Sequence, residues 1–182
     1  MTTPQRAQIL DACVLINLLA SGEAGGVLRA AALESFICSA VEGESIYLRT
    51  EDAKAPLEPI ELRPLTESGL LTACRIEGAQ ESGLYVHYAS ALDDGEAMSL
   101  AIAVSRGLIL ATDERKARRL LSEATADPLR LTSTSELLRR WAEAEAVPPG
   151  RLKAALLSVE RRARFQPRAG DPHHQWWADS CR

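Results

Sequence analysis

One feature constrains the possible fold of this chain most strongly. A short, mostly apolar strand candidate is followed by an acidic residue and then directly by a helix candidate. The opening run, Ala7 to Leu19, begins as a mostly apolar strand candidate, reaches Asp11, and continues as a helix candidate that stops at Gly22. Leu108 to Ala111 repeats the arrangement, since Asp113 and a second helix candidate follow it. Strands that alternate with helices predict an α/β fold, a three-layer α/β/α sandwich with a mainly parallel central sheet.

The length of 182 residues favours a single core with a short tail. We predict a main domain over residues 1–147, a C-terminal helix over 148–165 packed on that domain, and a partly ordered tail over 166–182. The first boundary follows the break at Pro148-Pro149-Gly150. Within the main domain, the pattern predicts a helix from Thr66 to Ile76 and a loop from Gly78 to Gly83.

Charge and cysteine usage narrow the class of protein. The formal net charge of -4 argues against coating of nucleic acid by bulk electrostatics, so any such substrate must be held by local basic patches. The four cysteines lie far apart without a CxxC motif, which favours reduced thiols over a zinc site. The start lacks the pattern of a secretory signal, and no apolar stretch reaches roughly 18 to 20 residues. The sequence therefore predicts a cytoplasmic protein without a membrane span.

Asp11 is the most informative single residue. An ionised side chain inside an otherwise apolar run costs several kcal/mol unless it is paired or binds a cation. The alternative is that Asp11 caps the helix that follows, by accepting backbone N–H bonds. The position of Asp113 favours the interpretation that Asp11 binds a cation. Asp113 lies at the corresponding place after another strand candidate, and the ends of parallel strands bring such residues to one edge of the sheet.

Two further acids are candidates for the same site. Glu96 opens a helix at Asp93-Asp94-Gly95-Glu96, where a capping box between Asp93 and Glu96 is the structural alternative. Glu44 follows the second strand candidate, Phe36 to Cys38, and its alternative is an ordinary solvated acidic face.

Carboxylates that converge in this way repel one another and take up protons unless a divalent cation compensates them. An all-oxygen ligand set indicates Mg²⁺ or Mn²⁺, and such a cation suits phosphodiester hydrolysis because it activates water. The predicted metal ligands are Asp11, Glu44, Glu96 and Asp113, and the predicted catalytic residues are Asp11, Glu96 and Asp113.

Two basic stretches are candidates for phosphate contact. Arg115, Lys116 and Arg118 follow Asp113 closely and are predicted to bind substrate, the alternative being a solvated helix face. A denser basic run lies near the tail, followed by two tryptophans that either stack on unpaired bases, cover an apolar patch or bind a partner. That run consists of Arg161, Arg162, Arg164 and Arg168, and the tryptophans are Trp176 and Trp177.

Four segments in this order resemble the PIN-domain ribonucleases, in the toxin-like branch whose third acid lies in a DxGEA segment. They are ILDACVLINLLASGE, FICSAVEGE, LDDGEAMSLAIA and LILATDERKARRLL, and together they span roughly residues 8 to 123. The resemblance implies a PIN fold, Mg²⁺- or Mn²⁺-dependent hydrolysis of RNA, and metal-binding carboxylates at Asp11, Glu44, Glu96 and Asp113. Glu114 is the rival for the fourth place.

The same resemblance implies the toxin half of a toxin–antitoxin pair, with an antitoxin protein as partner and a homodimer as the assembly. It also marks Asn17, in the LINLL run, as a residue that orients hydrogen bonds at the substrate site, although a helix-surface role fits equally. The chain departs from the family at Ala12 and Cys13, where many members carry Ser or Thr. That departure and the net acidity leave a second hypothesis, a binding or scaffold module with an impaired site.

Overall fold

The computed structural model describes residues 7–43, 47–50 and 56–182, and every structural statement below concerns those residues. Its strands are β1 (Ala7–Leu10), β2 (Glu34–Cys38), β3 (Tyr47–Leu48), β4 (Glu58–Pro59), β5 (Thr72–Cys74), β6 (Ile109–Ala111) and β7 (Leu131–Thr132). Its helices are α1 (Ala12–Ser21), α2 (Ala24–Ala31), α3 (Ser39–Gly43), α4 (Arg63–Glu67), α5 (Gly78–Ala89), α6 (Asp94–Arg106), α7 (Arg115–Ala124), α8 (Thr134–Ala144), α9 (Pro149–Arg162) and α10 (His174–Ser180).

Five strands form one parallel sheet in the order β5-β2-β1-β6-β7. The central strand β1 lies between β2 and β6, with Ile9 opposite Phe36 and Leu10 opposite Ala111. Ile9 and Leu10 have no exposed surface, as expected of a strand covered on both faces. The predicted α/β class with a parallel central sheet flanked by helices is confirmed, in keeping with a three-layer α/β/α sandwich.

The described residues divide into two compact units. The first comprises those within Met1–Val14, Leu33–Glu44 and Leu62–Ser133, and the second those within Leu15–Ala32, Ser45–Glu61 and Thr134–Arg182. The first unit holds the parallel sheet, with α6 packed on β1, β2 and β6 and against α5. The second unit holds the antiparallel pair β3-β4, the packing of α2 on α8, and that of α10 on α9. It therefore includes the predicted C-terminal helix and the tail.

Two local predictions were wrong. The segment predicted as a helix from Thr66 to Ile76 contains the end of α4 and the strand β5, which pairs with β2. The segment predicted as a loop from Gly78 to Gly83 begins the helix α5. Tertiary contact explains the second error, because packing against α6 overrides the low helix propensity of the two glycines.

An ion pair between a partly exposed arginine and a buried glutamate joins α5 to α6 within the first unit. Arg106 Nε lies 2.7 Å from Glu81 Oε1, and a second Arg106 nitrogen lies 2.9 Å from Glu81 Oε2. The Glu81 side chain is only 6% exposed. The hydrogen bond from Arg106 lowers the pKa of Glu81 more than burial raises it. Arg106 also donates to the carbonyl oxygen of Arg75, so its planar group ties three segments together.

In the second unit, α2 approaches α8 at a glycine. A Cβ atom added to Gly26 would lie 2.9 Å from Nε1 of Trp141, a side chain with no exposed surface. That indole also donates to Glu145 Oε2 at 3.0 Å, and the guanidinium of Arg151 lies 5.3 Å from its ring centroid. The indole is therefore held on several sides, and Gly26 is the residue that lets the two helices approach.

This close approach gives a first testable prediction. Gly26→Ala is expected to lower the free energy of unfolding by about 1–3 kcal/mol, since the added methyl group must displace a packed indole. The control is Gly83→Ala in α5, where a Cβ would meet no atom within 4 Å. That change should raise stability by about 0.5–1 kcal/mol through helix propensity alone. Chemical denaturation of both variants measures the two shifts, and a destabilisation of equal size in both would contradict the packing argument.

Among the described residues, no single helix is long and apolar enough to cross a membrane. The segments Ala12–Ala20 and Ala24–Ala31 meet the length and composition criteria only as a pair, and they meet at a bend of 120°.

Candidate active site

Asp11 lies at the carboxyl end of β1, where the parallel sheet places it beside the end of β6. Its backbone N–H donates to the carbonyl oxygen of Ala111 at 3.0 Å, which continues the pairing of the two strands by one residue. The next residue after Ala111 is Thr112, which has no exposed surface. The strand register therefore delivers the side chains of Asp11 and Thr112 to one point, and Asp11 is itself only 2% exposed.

Three donors surround the Asp11 carboxylate. Its Oδ2 accepts from Thr112 Oγ1 at 2.8 Å and from Cys13 Sγ at 3.3 Å, while its Oδ1 accepts from the backbone N–H of Ala12 at 2.8 Å. Burial raises the pKa of Asp11 above its ordinary value, the three hydrogen bonds oppose that rise, and the charge of Asp93 adds to it. Asp11 thus accepts a hydrogen bond from Ala12, the first residue of α1, as a helix cap would. Its negative charge is also unfavourable because the carboxylate is buried.

Glu96 forms the capping box that the sequence offered as an alternative to metal binding. Asp93 Oδ1 accepts from the Glu96 backbone N–H at 2.9 Å, and Glu96 Oε2 accepts from that of Asp93 at 3.4 Å. The second bond is long, so it restrains the Glu96 side chain weakly. Burial raises the pKa of Glu96, and the charges of Asp93 and then Asp11 raise it further. Glu96 therefore caps α6, and the charge of Asp11 also raises its pKa.

Asp113 and Glu114 follow Thr112 at the same sheet edge. The charge of Asp113 contributes, after burial and Asp11, to a raised pKa of the Cys13 thiol. Glu114 caps α7 by accepting the Lys116 backbone N–H at 3.5 Å, and its own backbone N–H donates to Thr112 Oγ1 at 3.1 Å. Both rivals for the fourth acid thus lie around this edge. Glu44, the other predicted ligand, lies outside the described residues.

The described carboxylates do not form a closed cation site. No group of three His, Cys, Asp or Glu side chains within residues 7–43, 47–50 and 56–182 is placed so that it could hold a metal ion. Mg²⁺, however, commonly takes one or two protein carboxylates and completes its shell with water and substrate phosphate. Asp11 and Glu96 offer only oxygen donors, and the charge of Asp11 raises the pKa of Glu96, a repulsion that a divalent cation would relieve.

Sequence reasoning missed Thr112 and Cys13 as partners of Asp11. Thr112 Oγ1 donates to the Asp11 carboxylate and accepts from the backbone of Glu114, so it links the ends of β1 and β6. Cys13 provides a thiol donor to the same carboxylate oxygen. A signal for Thr112 existed, because a polar residue directly after a buried strand lies where the sheet edge collects side chains.

The basic residues of α7 have different roles. Lys116 Nζ donates to the carbonyl oxygen of Ala91, while Arg118 donates to the carbonyl oxygens of Thr112 at 3.0 Å and Thr132 at 3.2 Å. Arg118 thus satisfies backbone oxygens at the ends of β6 and β7. Arg115 is exposed, and its guanidinium makes no hydrogen bond or ion pair in the part of the chain that the structure describes. Among Arg115, Lys116 and Arg118, the three residues predicted to bind substrate, Arg115 therefore has the charged group that is most available to a phosphate.

Asn17 belongs to the second unit, and its side chain is buried there. Its Nδ2 donates to Thr134 Oγ1 at 3.0 Å, a bond that connects α1 with the first residue of α8. The side chain is 4% exposed, so the helix-surface alternative is wrong and the amide instead joins two helices. Its predicted role in binding substrate stays a prediction.

Comparison of the chain with models of protein families, with curated proteins and with solved structures finds no match. The similarity to PIN-domain ribonucleases therefore rests on the four sequence segments, and the functional argument on the geometry at the ends of β1 and β6.

Proposed function

We propose that this chain is a Mg²⁺- or Mn²⁺-dependent endoribonuclease that hydrolyses RNA phosphodiester bonds in the cytoplasm. The observation that carries the proposal is the buried Asp11 carboxylate at the end of β1, whose pKa is raised by burial. Its charge in turn raises the pKa of Glu96. A protein keeps such a destabilised pair of acids where a cation or a reaction uses them.

In this proposal Asp11 and Glu96 would hold the cation, with water and substrate phosphate completing its shell, and the roles of Asp113 and Glu44 as further ligands stay predictions. When bound, the cation activates a water molecule and offsets negative charge on the phosphoryl group. Thr112 and Cys13 fix Asp11 by donating to its Oδ2, so that the carboxylate does not have to reorganise. Burial and the charges of Asp93 and Asp11 raise the pKa of Glu96, so its protonated form is favoured more than that of an ordinary glutamate. Arg115 binds a substrate phosphate, because its guanidinium is exposed.

Metal removal and replacement test the proposal. Purified protein should cleave a labelled single-stranded RNA in Mg²⁺ or Mn²⁺, lose that activity in EDTA, and regain it when Mn²⁺ is restored. Cleavage that continues unchanged in EDTA would exclude the proposed cation chemistry. Absence of cleavage in every metal would exclude the ribonuclease itself.

The positioning role of Thr112 gives a second prediction. Thr112→Val keeps the shape of the side chain but removes the donor to Asp11, and it should weaken Mn²⁺ binding and RNA cleavage by about 10- to 100-fold. Thr112→Ser restores the hydroxyl and should recover most of both. Calorimetric Mn²⁺ titration and steady-state cleavage measure the series. A loss in the serine variant with wild-type behaviour in the valine variant would show that the methyl group, and hence packing, matters instead.

The resemblance supports two further parts of the proposal, the toxin role with an antitoxin partner and the homodimer. Light scattering on the purified chain tests the homodimer, and a monomer at micromolar concentration would contradict it. Growth arrest on expression, relieved by Asp11→Asn, tests the toxin role.

A second candidate function is a binding or scaffold module with an impaired site. The capping box favours it, because Glu96 already makes a bond that competes with a cation. Asp11, likewise, already accepts three hydrogen bonds. Calorimetry distinguishes the two candidates, since a module of this kind would show no Mn²⁺ binding that depends on Asp11.

A further inference from the structure

The segment between α9 and α10 carries two exposed arginines whose guanidinium groups have no partner within residues 7–43, 47–50 and 56–182. They are Arg164 and Arg168, whose side chains make neither a hydrogen bond nor an ion pair there. Arg162, just before them, differs because its guanidinium lies 2.7 Å from Glu58 Oε2 and also donates to the carbonyl oxygen of Arg49. Of the four arginines in the basic run, Arg162 is thus structural, and the guanidinium groups of Arg164 and Arg168 are available to a ligand.

The backbone of this segment is held in place. Arg164 has a φ of 56°, a left-handed conformation that costs a non-glycine residue about 1–3 kcal/mol and persists only where the surroundings enforce it. The enforcing contacts are visible on both sides. The Phe165 ring lies edge-on to Trp177 at 5.7 Å, and the imidazole of His174 donates from Nδ1 to the carbonyl oxygen of Pro167 at 2.8 Å. Arg164 and Arg168 therefore belong to a segment whose backbone is held in place by these contacts.

One aromatic side chain near this segment stays partly exposed. Trp177 is 2% exposed and donates from Nε1 to Glu160 Oε1 at 2.8 Å, so its role is to anchor α10 on α9. Trp176 is half-buried, and its ring lies edge-on to that of Trp177 at 6.4 Å. Phe165, Trp177 and Trp176 thus form a row of rings that ends in an accessible indole.

We propose that Arg164, Arg168 and Trp176 form a docking site for single-stranded RNA. The inference rests on the proposed function, because RNA is the substrate named there. Unpaired arginines suit the phosphate backbone, and an accessible indole suits an unstacked base, a combination that proteins use for single strands. An acidic protein partner would match the arginines but would give the indole no flat base to stack on.

Binding measured without cleavage tests this site. The full-length protein in EDTA is titrated with a fluorescein-labelled single-stranded oligoribonucleotide over a range of salt concentrations. Arg164→Gln/Arg168→Gln should lower the affinity and reduce the slope of log Kobs against log salt by about 1.4, since each phosphate contact on a single strand contributes roughly 0.7. The matched control is Arg63→Gln/Arg140→Gln, which removes the same charge from two exposed intrahelical ion pairs.

Trp176→Leu provides an independent arm. It should weaken binding of the single strand by roughly tenfold and leave binding of a duplex unchanged. Equal loss in the control variant, no loss in the arginine variant, or wild-type binding to anionic lipid vesicles but not to RNA would each overturn the site. A wild-type protein that binds RNA at this site but never cleaves it would overturn the proposed function and leave the docking site standing.

Discussion

Asp11→Asn is expected to lower kcat/KM for Mn²⁺-dependent RNA cleavage by about 10²–10⁴-fold. A bound cation contributes several kcal/mol of transition-state stabilisation, and each 1.36 kcal/mol is a factor of ten in rate. The change is nearly isosteric and keeps an oxygen that can accept the Ala12 N–H, so the site loses charge more than shape. Steady-state cleavage of a labelled RNA measures the effect. Equal rates for the variant and the wild type would remove Asp11 from the mechanism.

The matched control is Asp94→Asn, which removes the same charge two residues before Glu96. Asp94 is exposed and accepts a hydrogen bond from the Tyr85 hydroxyl at 3.0 Å, which an amide oxygen can replace. Cleavage by this variant should stay within about twofold of the wild type, because surface charges are screened by solvent and salt. A loss as large as that of Asp11→Asn would mean that general acidity, and not a specific ligand, sustains the activity.

Thermal unfolding gives a readout of Asp11 that does not depend on activity. The raised pKa means that the folded state disfavours ionised Asp11. Stability from this group is therefore fully present below the unfolded pKa of about 3.9 and is lost as the pH rises through the folded value. Without metal, the stability of Asp11→Asn relative to the wild type should rise with pH across this window. Saturating Mn²⁺ should raise the melting temperature of the wild type only, because binding adds about 2.7 kcal/mol to its free energy of unfolding at a hundred times Kd.

The sequence sufficed for the strands that matter to the site. The apolar run before Asp11 and the run Leu108 to Ala111 are unambiguous, and parallel pairing then places the ends of β1 and β6 together. The pairing explains why Asp11 and Asp113 could be predicted to share an edge from local patterns alone.

Side-chain contacts were less accessible to sequence reasoning. That Thr112 donates to Asp11 depends on a residue 101 positions away in the chain, and no periodic pattern records such a pair. The capping box of Glu96 was visible in the sequence because its two partners are three residues apart. Local hydrogen bonds can therefore be predicted from spacing, whereas the bonds that fix Asp11 require the register of two strands.

The same distinction applies to α5, whose glycines predicted a loop. The helix contains Glu81, which Arg106 reaches from the end of α6, so the stabilising partner lies 25 residues away. A charged pair between two helices has no signature in either helix alone. Tertiary contact of this kind overrides propensity, and it also makes the pair a sensitive point of the fold.

Arg106→Gln is expected to lower the free energy of unfolding by about 2–4 kcal/mol, because it leaves the Glu81 carboxylate buried without a cation. Arg106 lowers the pKa of Glu81 in the folded state. The pair therefore stabilises the fold at pH values above the unfolded-state pKa of about 4.3, and this stabilisation is lost as the pH falls through the folded-state pKa of Glu81. The deficit should therefore shrink in acid. Urea denaturation at several pH values measures this deficit in the free energy of unfolding.

Two further variants serve as controls. Glu81→Gln added to Arg106→Gln should recover much of the lost stability, while Arg63→Gln, in an exposed pair, should cost less than about 0.5 kcal/mol. A deficit independent of pH would assign the effect to packing of the arginine side chain.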